Sequence, residues 1–140
     1  MERETERRLA AHAVELGRRA APAVLPELIG LLDTPSPEVR RLAASAIGKL
    51  AGIADAEAAV AALTRTLRDK HPQVRQYAVK ALKAYGTTAE SALADLRDIA
   101  SNDSEKAYNR RDASAAVETV EEALRLQAAG ETHVCQRCGA

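Results

Sequence analysis

The sequence contains no phenylalanine or tryptophan and only three tyrosines. A chain with so few aromatic side chains lacks the usual core of a β-sandwich and the stacking surfaces that bind single-stranded nucleic acids. It has no apolar run near the ~20 residues of a membrane span, and its start, Met-Glu-Arg-Glu, lacks the apolar segment of a signal peptide. These absences predict a soluble cytoplasmic protein with no membrane contact.

Charge and cysteine content exclude further classes. The 20 Lys and Arg residues equal the 20 Asp and Glu residues, so net charge gives no argument for a nucleic-acid partner. Only two cysteines occur, so no disulfide framework holds the fold. No Ser-His-Asp spacing and no glycine-rich phosphate loop is visible. We therefore expect a protein that is not an enzyme and requires no cofactor.

What the sequence has in abundance is alanine, with 31 copies, arranged in a repeat. The segment 37–50 aligns with 72–85, which lies 35 residues later, and a third copy begins near Arg110. Within a copy the apolar residues follow helical spacing on one narrow face. In the first clear copy they are Val39, Ala43, Ala46, Ile47 and Leu50. The repeated alanines predict helices whose backbones approach each other closely.

A fourth copy precedes these at an offset of 33 residues, which places Ala13 and Val14 at the buried positions of Ala46 and Ile47. Shorter helical patterns separate the copies, so each repeat contains a pair of helices. We predict an inner-type helix over about 3–18, repeats over about 22–51, 55–86 and 88–128, and a flexible tail over 129–140. The expected helix ends are Gly52, Gly86 and Gly130, with the last helix running to about Gln127.

A helix pair of this length cannot cover its own apolar face, so neighbouring pairs must stack. The pattern Asp, then Pro-x-Val-Arg-x-x-Ala-x-x-Ala-Leu, at Asp33 with 37–47 and at Asp69 with 72–82, resembles the HEAT repeat family in its short HEAT-like form. The resemblance implies an all-α fold, an α-solenoid (right-handed superhelix) of about seven antiparallel stacked helices. Asn109 departs from it by replacing the valine, and together with Tyr108 it marks either a site or a helix cap, of which we favour the cap.

An arginine recurs at one position of the repeat, on the edge of the buried face. The resemblance implies that this arginine meets an acidic residue of the preceding turn and ties repeats together, although contact with a ligand stays open. A guanidinium group suits either role because it presents several donors in one plane. The predicted ladder consists of Arg7, Arg40, Arg75 and Arg110, with Asp33, Asp69 and Asp103 as the acidic partners.

A second set of residues lies opposite the core face and would line the concave surface of the stack. Basic groups concentrate there, and this surface is either a solvated face, a groove for a protein partner, or a place of phosphate contact. The predicted partner-binding residues are Arg8, Arg41, Ser45, Gln76, Lys80, Lys83, Arg111 and Glu118. Tyr77 and Tyr85 fall at or beside core positions, where we expect buried rings whose hydroxyls reach water or a carbonyl.

The tail carries Cys135-Gln-Arg-Cys138-Gly, which resembles the first half of a zinc ribbon. His133 is a candidate third ligand. Three readings stay open: a ribbon whose second half lies outside this sequence, a tail that binds no metal, and zinc completed by another molecule.

The sequence thus predicts a non-catalytic module that binds a protein partner, or the rest of a larger polypeptide, through its concave face. The alternative is a nucleic-acid-binding accessory domain of a DNA helicase or repair enzyme, with a zinc ribbon continuing beyond residue 140. Several phosphate contacts would make binding in that alternative strongly dependent on salt.

Overall fold

In a computed structural model of the chain, the structure describes the backbone of residues 1–139 and the side chains of residues 1–130. Its helices are α1 (Arg3–Arg19), α2 (Leu25–Leu31), α3 (Pro37–Lys49), α4 (Ala56–Thr66), α5 (Pro72–Ala84), α6 (Leu93–Ser101) and α7 (Ala107–Gly139). Short 3₁₀ segments, Pro22–Val24 and Gly86–Ala92, precede α2 and α6. No strand occurs between residues 1 and 139.

The helices form two layers. Helices α1, α3, α5 and α7, which we call the inner helices, pack side by side in that order. Helices α2, α4 and α6 are the outer helices, and each packs on one face of the inner layer. This arrangement confirms the predicted all-α solenoid and leaves the opposite face of the inner layer, the free face, without a covering helix.

Local sequence explains where the helices begin and end. The side chains of Ser36, Asp55 and His71 accept hydrogen bonds from backbone N–H groups in the first turns of α3, α4 and α5. After α3 and α5 the chain passes through Gly52 (φ 81°) and Gly86 (φ 55°), a left-handed conformation that favours glycine. Both glycines were predicted helix ends.

The core lies between the two layers and uses the predicted alanine stripe. Ala43, Ala78 and Ala113 are fully buried on successive inner helices. Small residues also set the distance between inner helices, because a Cβ added to Gly48 on α3 would lie 3.1 Å from the Cα of Ala81 on α5. This confirms the prediction that the small residues of the repeat let the backbones of neighbouring helices approach each other closely.

In α1 the predicted register is wrong by two residues. Val14, expected in the core, is 40% exposed, whereas Leu16 and Gly17 are buried. Gly17 packs against the next inner helix in the way that Gly48 does, with an added Cβ 3.0 Å from that of Ala46. Gly17 and Gly48 are 31 residues apart, so the true offset between α1 and α3 is 31 residues and not the 33 of the sequence alignment. The close contact between the helices sets this register.

The last helix passes its predicted end. Helix α7 continues beyond Gln127 and through Gly130 to Gly139, so the predicted tail does not start at residue 129. One glycine costs a helix about 1 kcal/mol relative to alanine but keeps its backbone hydrogen bonds, and no proline follows it. No helix among the described residues combines the length and apolar composition that crossing a bilayer requires.

Candidate functional site

Arg40 of the predicted ladder joins two repeats. Arg40 on α3 donates from Nε and Nη2 to the two carboxylate oxygens of Asp69, at 2.7 and 3.1 Å. Asp69 lies in the turn before α5, so this two-bond fork crosses from one repeat to the next. The third nitrogen, Nη1, donates to the carbonyl of Thr34 at 2.9 Å in the turn before α3. We call such an arrangement a rung.

Arg75 on α5 forms the second rung with a residue that sequence analysis missed. Its Nε and Nη2 donate to the two carboxylate oxygens of Glu105, each at a distance of 2.8 Å, while Nη1 donates to the carbonyl oxygen of Asp69. The hydrogen bonds from Arg75 lower the pKa of Glu105, and the bond to Glu105 raises the pKa of Arg75. Glu105 follows Arg75 by 30 residues, as Asp69 follows Arg40 by 29. A search for acids at this spacing would have found it.

The rungs correct the predicted pairing. Each arginine was expected to bind the acidic side chain of its own preceding turn, but that turn supplies a backbone carbonyl and the following repeat supplies the carboxylate. This pairing arises because α3 and α5 lie side by side, which places the carboxylate of Asp69, in the turn before α5, within hydrogen-bonding distance of Arg40.

Three predicted ladder residues form no such pair. Asp33 and Arg7 are exposed and make no side-chain hydrogen bond or ion pair with residues 1–130. With the register of α1 shifted, partly buried Leu9 takes the position that Arg40 occupies on α3. Asp103 contributes only its carbonyl oxygen, which accepts from Nη1 of Arg110 at 3.0 Å.

Asn109 contributes a further hydrogen bond to the second rung. It is fully buried, and its Nδ2 donates to the carbonyl of Pro72 at 3.0 Å and to Glu105 at 3.2 Å. Its Oδ1 has no hydrogen-bond partner among the described residues. Asn109 therefore links α7 to the start of α5 and to Glu105, and because it lies inside α7 and its Oδ1 accepts no backbone N–H of the described residues, its interpretation as a helix cap is wrong.

The free face carries a basic groove between α3 and α5. The guanidinium carbon of Arg41 lies 5.1 Å from the centre of the Tyr77 ring, and Nζ of Lys80 lies 5.4 Å from it. Lys49 and Lys80 line the same groove together with Ser45 and Tyr77. Both cations gain cation–π attraction from the ring, and their like charges favour the approach of an anion. We call these residues the Tyr77 groove.

The charges of the groove differ in how far they are already paired. Arg41 lies 3.7 Å from Glu38 on its own helix, so part of its charge is balanced. Lys49, Lys80 and Lys83 are exposed and form no ion pair with the described residues. Lys83 follows Lys80 by one helical turn on α5. The lysines of the groove are therefore a concentration of positive charge that no ion pair with the described residues balances.

The other predicted partner-binding residues lie outside the groove. Gln76 is occupied by a hydrogen bond of 3.1 Å from its Nε2 to Asp112 on α7. Arg111 and Glu118 are exposed on α7, and Arg8 is exposed near the start of α1. The structure thus brings together Arg41, Ser45 and Lys80, and sequence analysis had not included Lys49 or assigned Tyr77 to the site.

Tyr85 has the predicted environment, since its buried ring places its hydroxyl 2.7 Å from the carbonyl oxygen of Ile47, to which it donates. Burial raises the pKa of Tyr85 to about 12.

Metal binding is a separate question. The candidate ligands Cys135, Cys138 and His133 lie outside the residues whose side chains the structure describes. Among those that it does describe, no cluster of three or more His, Cys, Asp or Glu could hold a metal ion.

Comparison with known proteins adds an independent finding. A family model of HEAT repeats matches residues 50–118, and a family model of the HEAT-like repeat matches residues 5–50. The two matches together extend from α1 into α7. A comparison with curated proteins finds no match.

Proposed function

This chain belongs to the HEAT-repeat family, and from that premise we propose that it is a non-catalytic protein-interaction module whose Tyr77 groove binds an acidic segment of a protein partner. HEAT repeats are commonly interaction scaffolds, and their families are generally non-catalytic. The observation that carries the proposal is the pair of lysines, Lys49 and Lys80, that line the groove beside Tyr77 and form no ion pair with the described residues. The partner is either a separate protein or the remainder of a larger polypeptide.

An acidic peptide fits this groove better than a nucleic-acid backbone does. A duplex needs basic contacts along a phosphate path, and affinity grows with the number of phosphates neutralised. Here the lysines of α3 and α5 are followed on α7 by Arg111 next to Asp112 and then by Glu118, so acidic residues interrupt the basic charge along the inner layer. A short carboxylate-bearing segment needs only the groove itself, with the tyrosine ring as an apolar contact.

Fluorescence anisotropy with two labelled probes tests the proposal: a synthetic peptide rich in Glu and Leu, and a DNA duplex. We expect the peptide to bind the native chain. The double variant Lys49→Glu/Lys80→Glu should weaken binding at least about tenfold, a loss of 1.4 kcal/mol. The matched control, Arg65→Glu/Arg68→Glu, reverses two exposed cations, one on outer helix α4 and one in the turn that follows it, and should retain affinity.

Two results would overturn the proposal. The first is equal peptide affinity in the groove variant and the control, because the groove would then make no special contribution. The second is duplex binding that is tighter than peptide binding and falls steeply with salt, which would favour the nucleic-acid alternative. Circular dichroism of each variant checks that the helices are intact, as we expect for substitutions at exposed positions.

A further inference from the structure

Arg110, the last arginine of the predicted ladder, forms an incomplete rung. Nη1 of Arg110 donates to the carbonyl oxygens of Asp103 and Glu105, at 3.0 and 3.1 Å, in the turn before α7. The same nitrogen of Arg40 and of Arg75 is held in the same way by the turn before its own helix. In all three cases, carbonyl oxygens of the turn before the helix hold the guanidinium group through Nη1.

The three arginines differ in what their Nε and Nη2 atoms bind. In Arg40 and Arg75, Nε and Nη2 hold a carboxylate in two parallel hydrogen bonds. In Arg110 these two nitrogens have no acceptor among residues 1–130. The residues 29 and 30 positions further on are Gly139 and Ala140, which have no side-chain carboxylate. Helix α7 also continues where a turn would be needed to bring an acid back.

We propose that Arg110 is a carboxylate-binding site, completed by an acidic side chain that a partner protein presents in the turn before a helix. Both completed rungs show this geometry, since Asp69 and Glu105 lie three and two residues before α5 and α7. A guanidinium already held on one edge loses little conformational freedom on binding, and its fork discriminates for a carboxylate.

The exposed residues that follow Arg110 on α7 indicate which side chains the partner helix should carry. On α3 the matching edge is Arg40, Ala44 and Gly48, which the next inner helix covers. On α7 the same positions are Arg110, Ser114 and Glu118, and both Ser114 and Glu118 are exposed. Because Gly48 faces Ala81, a helix seated on α7 would place a residue about three turns after its acid opposite Glu118. A basic residue there would complement it.

The chain itself provides a probe with this pattern. A synthetic peptide of residues 67–86 contains Asp69, the acid of the first rung, followed by a helix with Lys80 and Lys83 on either side of Ala81. In titrations of isotope-labelled protein with this peptide, we expect the Nε–H signal of Arg110 and the amides around Ser114 to shift. The Asp69→Asn form of the peptide should bind at least about tenfold more weakly, which is 1.4 kcal/mol.

Variants of the protein separate the fork from simple charge. Arg110→Gln should lose peptide affinity by at least about tenfold, or 1.4 kcal/mol. The matched control is Arg111→Gln, which removes the same charge from the adjacent exposed arginine and should retain affinity. Equal affinity in both variants, equal binding of the Asp and Asn peptides, or shifts centred on α3 instead of α7 would each overturn the proposal. Because the Tyr77 groove lies elsewhere, this result is independent of the proposed function.

Discussion

The second rung makes a sharp stability prediction. Substituting Arg75→Met keeps the apolar stem of the side chain but removes the guanidinium group. Glu105, whose side chain is only 5% exposed, would keep only the N–H of Lys106 at 2.8 Å and the amide of Asn109 as hydrogen-bond donors. An uncompensated buried charge costs roughly 3–5 kcal/mol. Because 19% of the Arg75 side chain is exposed and water compensates in part, we expect the free energy of unfolding to fall by about 2–4 kcal/mol.

The matched comparison is an exposed ion pair. Arg68, whose side chain is 80% exposed, lies 3.4 Å from Asp95, and Arg68→Met should cost less than about 1 kcal/mol. Urea unfolding followed by circular dichroism measures both variants. Adding Glu105→Gln to Arg75→Met should recover part of the loss, because no charge is then left buried. Equal effects of the two arginine substitutions would refute the argument that the rung ties the repeats together.

The rung also predicts a pH dependence. Since Arg75 lowers the pKa of Glu105 in the folded chain, the contribution of Glu105 is complete above the unfolded value of about 4.3 and is lost as pH falls through the lower folded value. Unfolding free energies measured across this acidic range should therefore fall more steeply for the native chain than for Glu105→Gln. Parallel curves would contradict this assignment.

Three further predictions concern packing and buried polar groups. Gly48→Leu should destabilise the chain by about 1–3 kcal/mol through its clash with Ala81, whereas Gly30→Ala, in a helix with open space around it, should stabilise it by about 0.5–1 kcal/mol. Asn109→Asp should cost at least about 3 kcal/mol by placing a second carboxylate in a fully buried position beside the rung. Tyr85, with its pKa raised to about 12, should stabilise the fold fully below pH of about 10 and lose this contribution as pH rises through about 12.

Thermal or urea unfolding measures each of them. A stable Gly48→Leu variant would mean that α3 and α5 do not approach closely. An unaffected Asn109→Asp variant would place that side chain in water. For Tyr85, the comparison is Tyr85→Phe, which has no hydroxyl to ionise and should show a flatter alkaline profile; coincident profiles would contradict its burial.

The fold could be predicted because each repeat contains its own local signals. Proline at the start of α3 and of α5, alanine at helical spacing and glycine after the helix act within a few residues, so they can be read from the sequence. The register of α1 could not be read in this way, because it is set by the contact of Gly17 with Ala46 on another helix. The alignment of Arg7 with Arg40 compared residue types only, so it did not include the contact between Gly17 and Ala46.

The site was predicted only in part for the same reason. The arginine column was visible, but its acidic partners depend on how neighbouring turns meet in space, so Glu105 was missed and Asp33 was assigned wrongly. Of the basic residues of the groove, Arg41 and Lys80 were predicted from their positions on successive helices, whereas Lys49 was not. The role of Tyr77 requires the distances to Arg41 and Lys80, which sequence spacing does not provide.

Amide chemical-shift mapping with the acidic Glu-Leu peptide shows most directly whether the free face of the inner helices is the binding surface. We expect the largest shifts on residues that line the Tyr77 groove, Ser45, Lys49 and Lys80 among them. Shifts concentrated on the outer helices α4 and α6, or spread evenly over the surface, would contradict it.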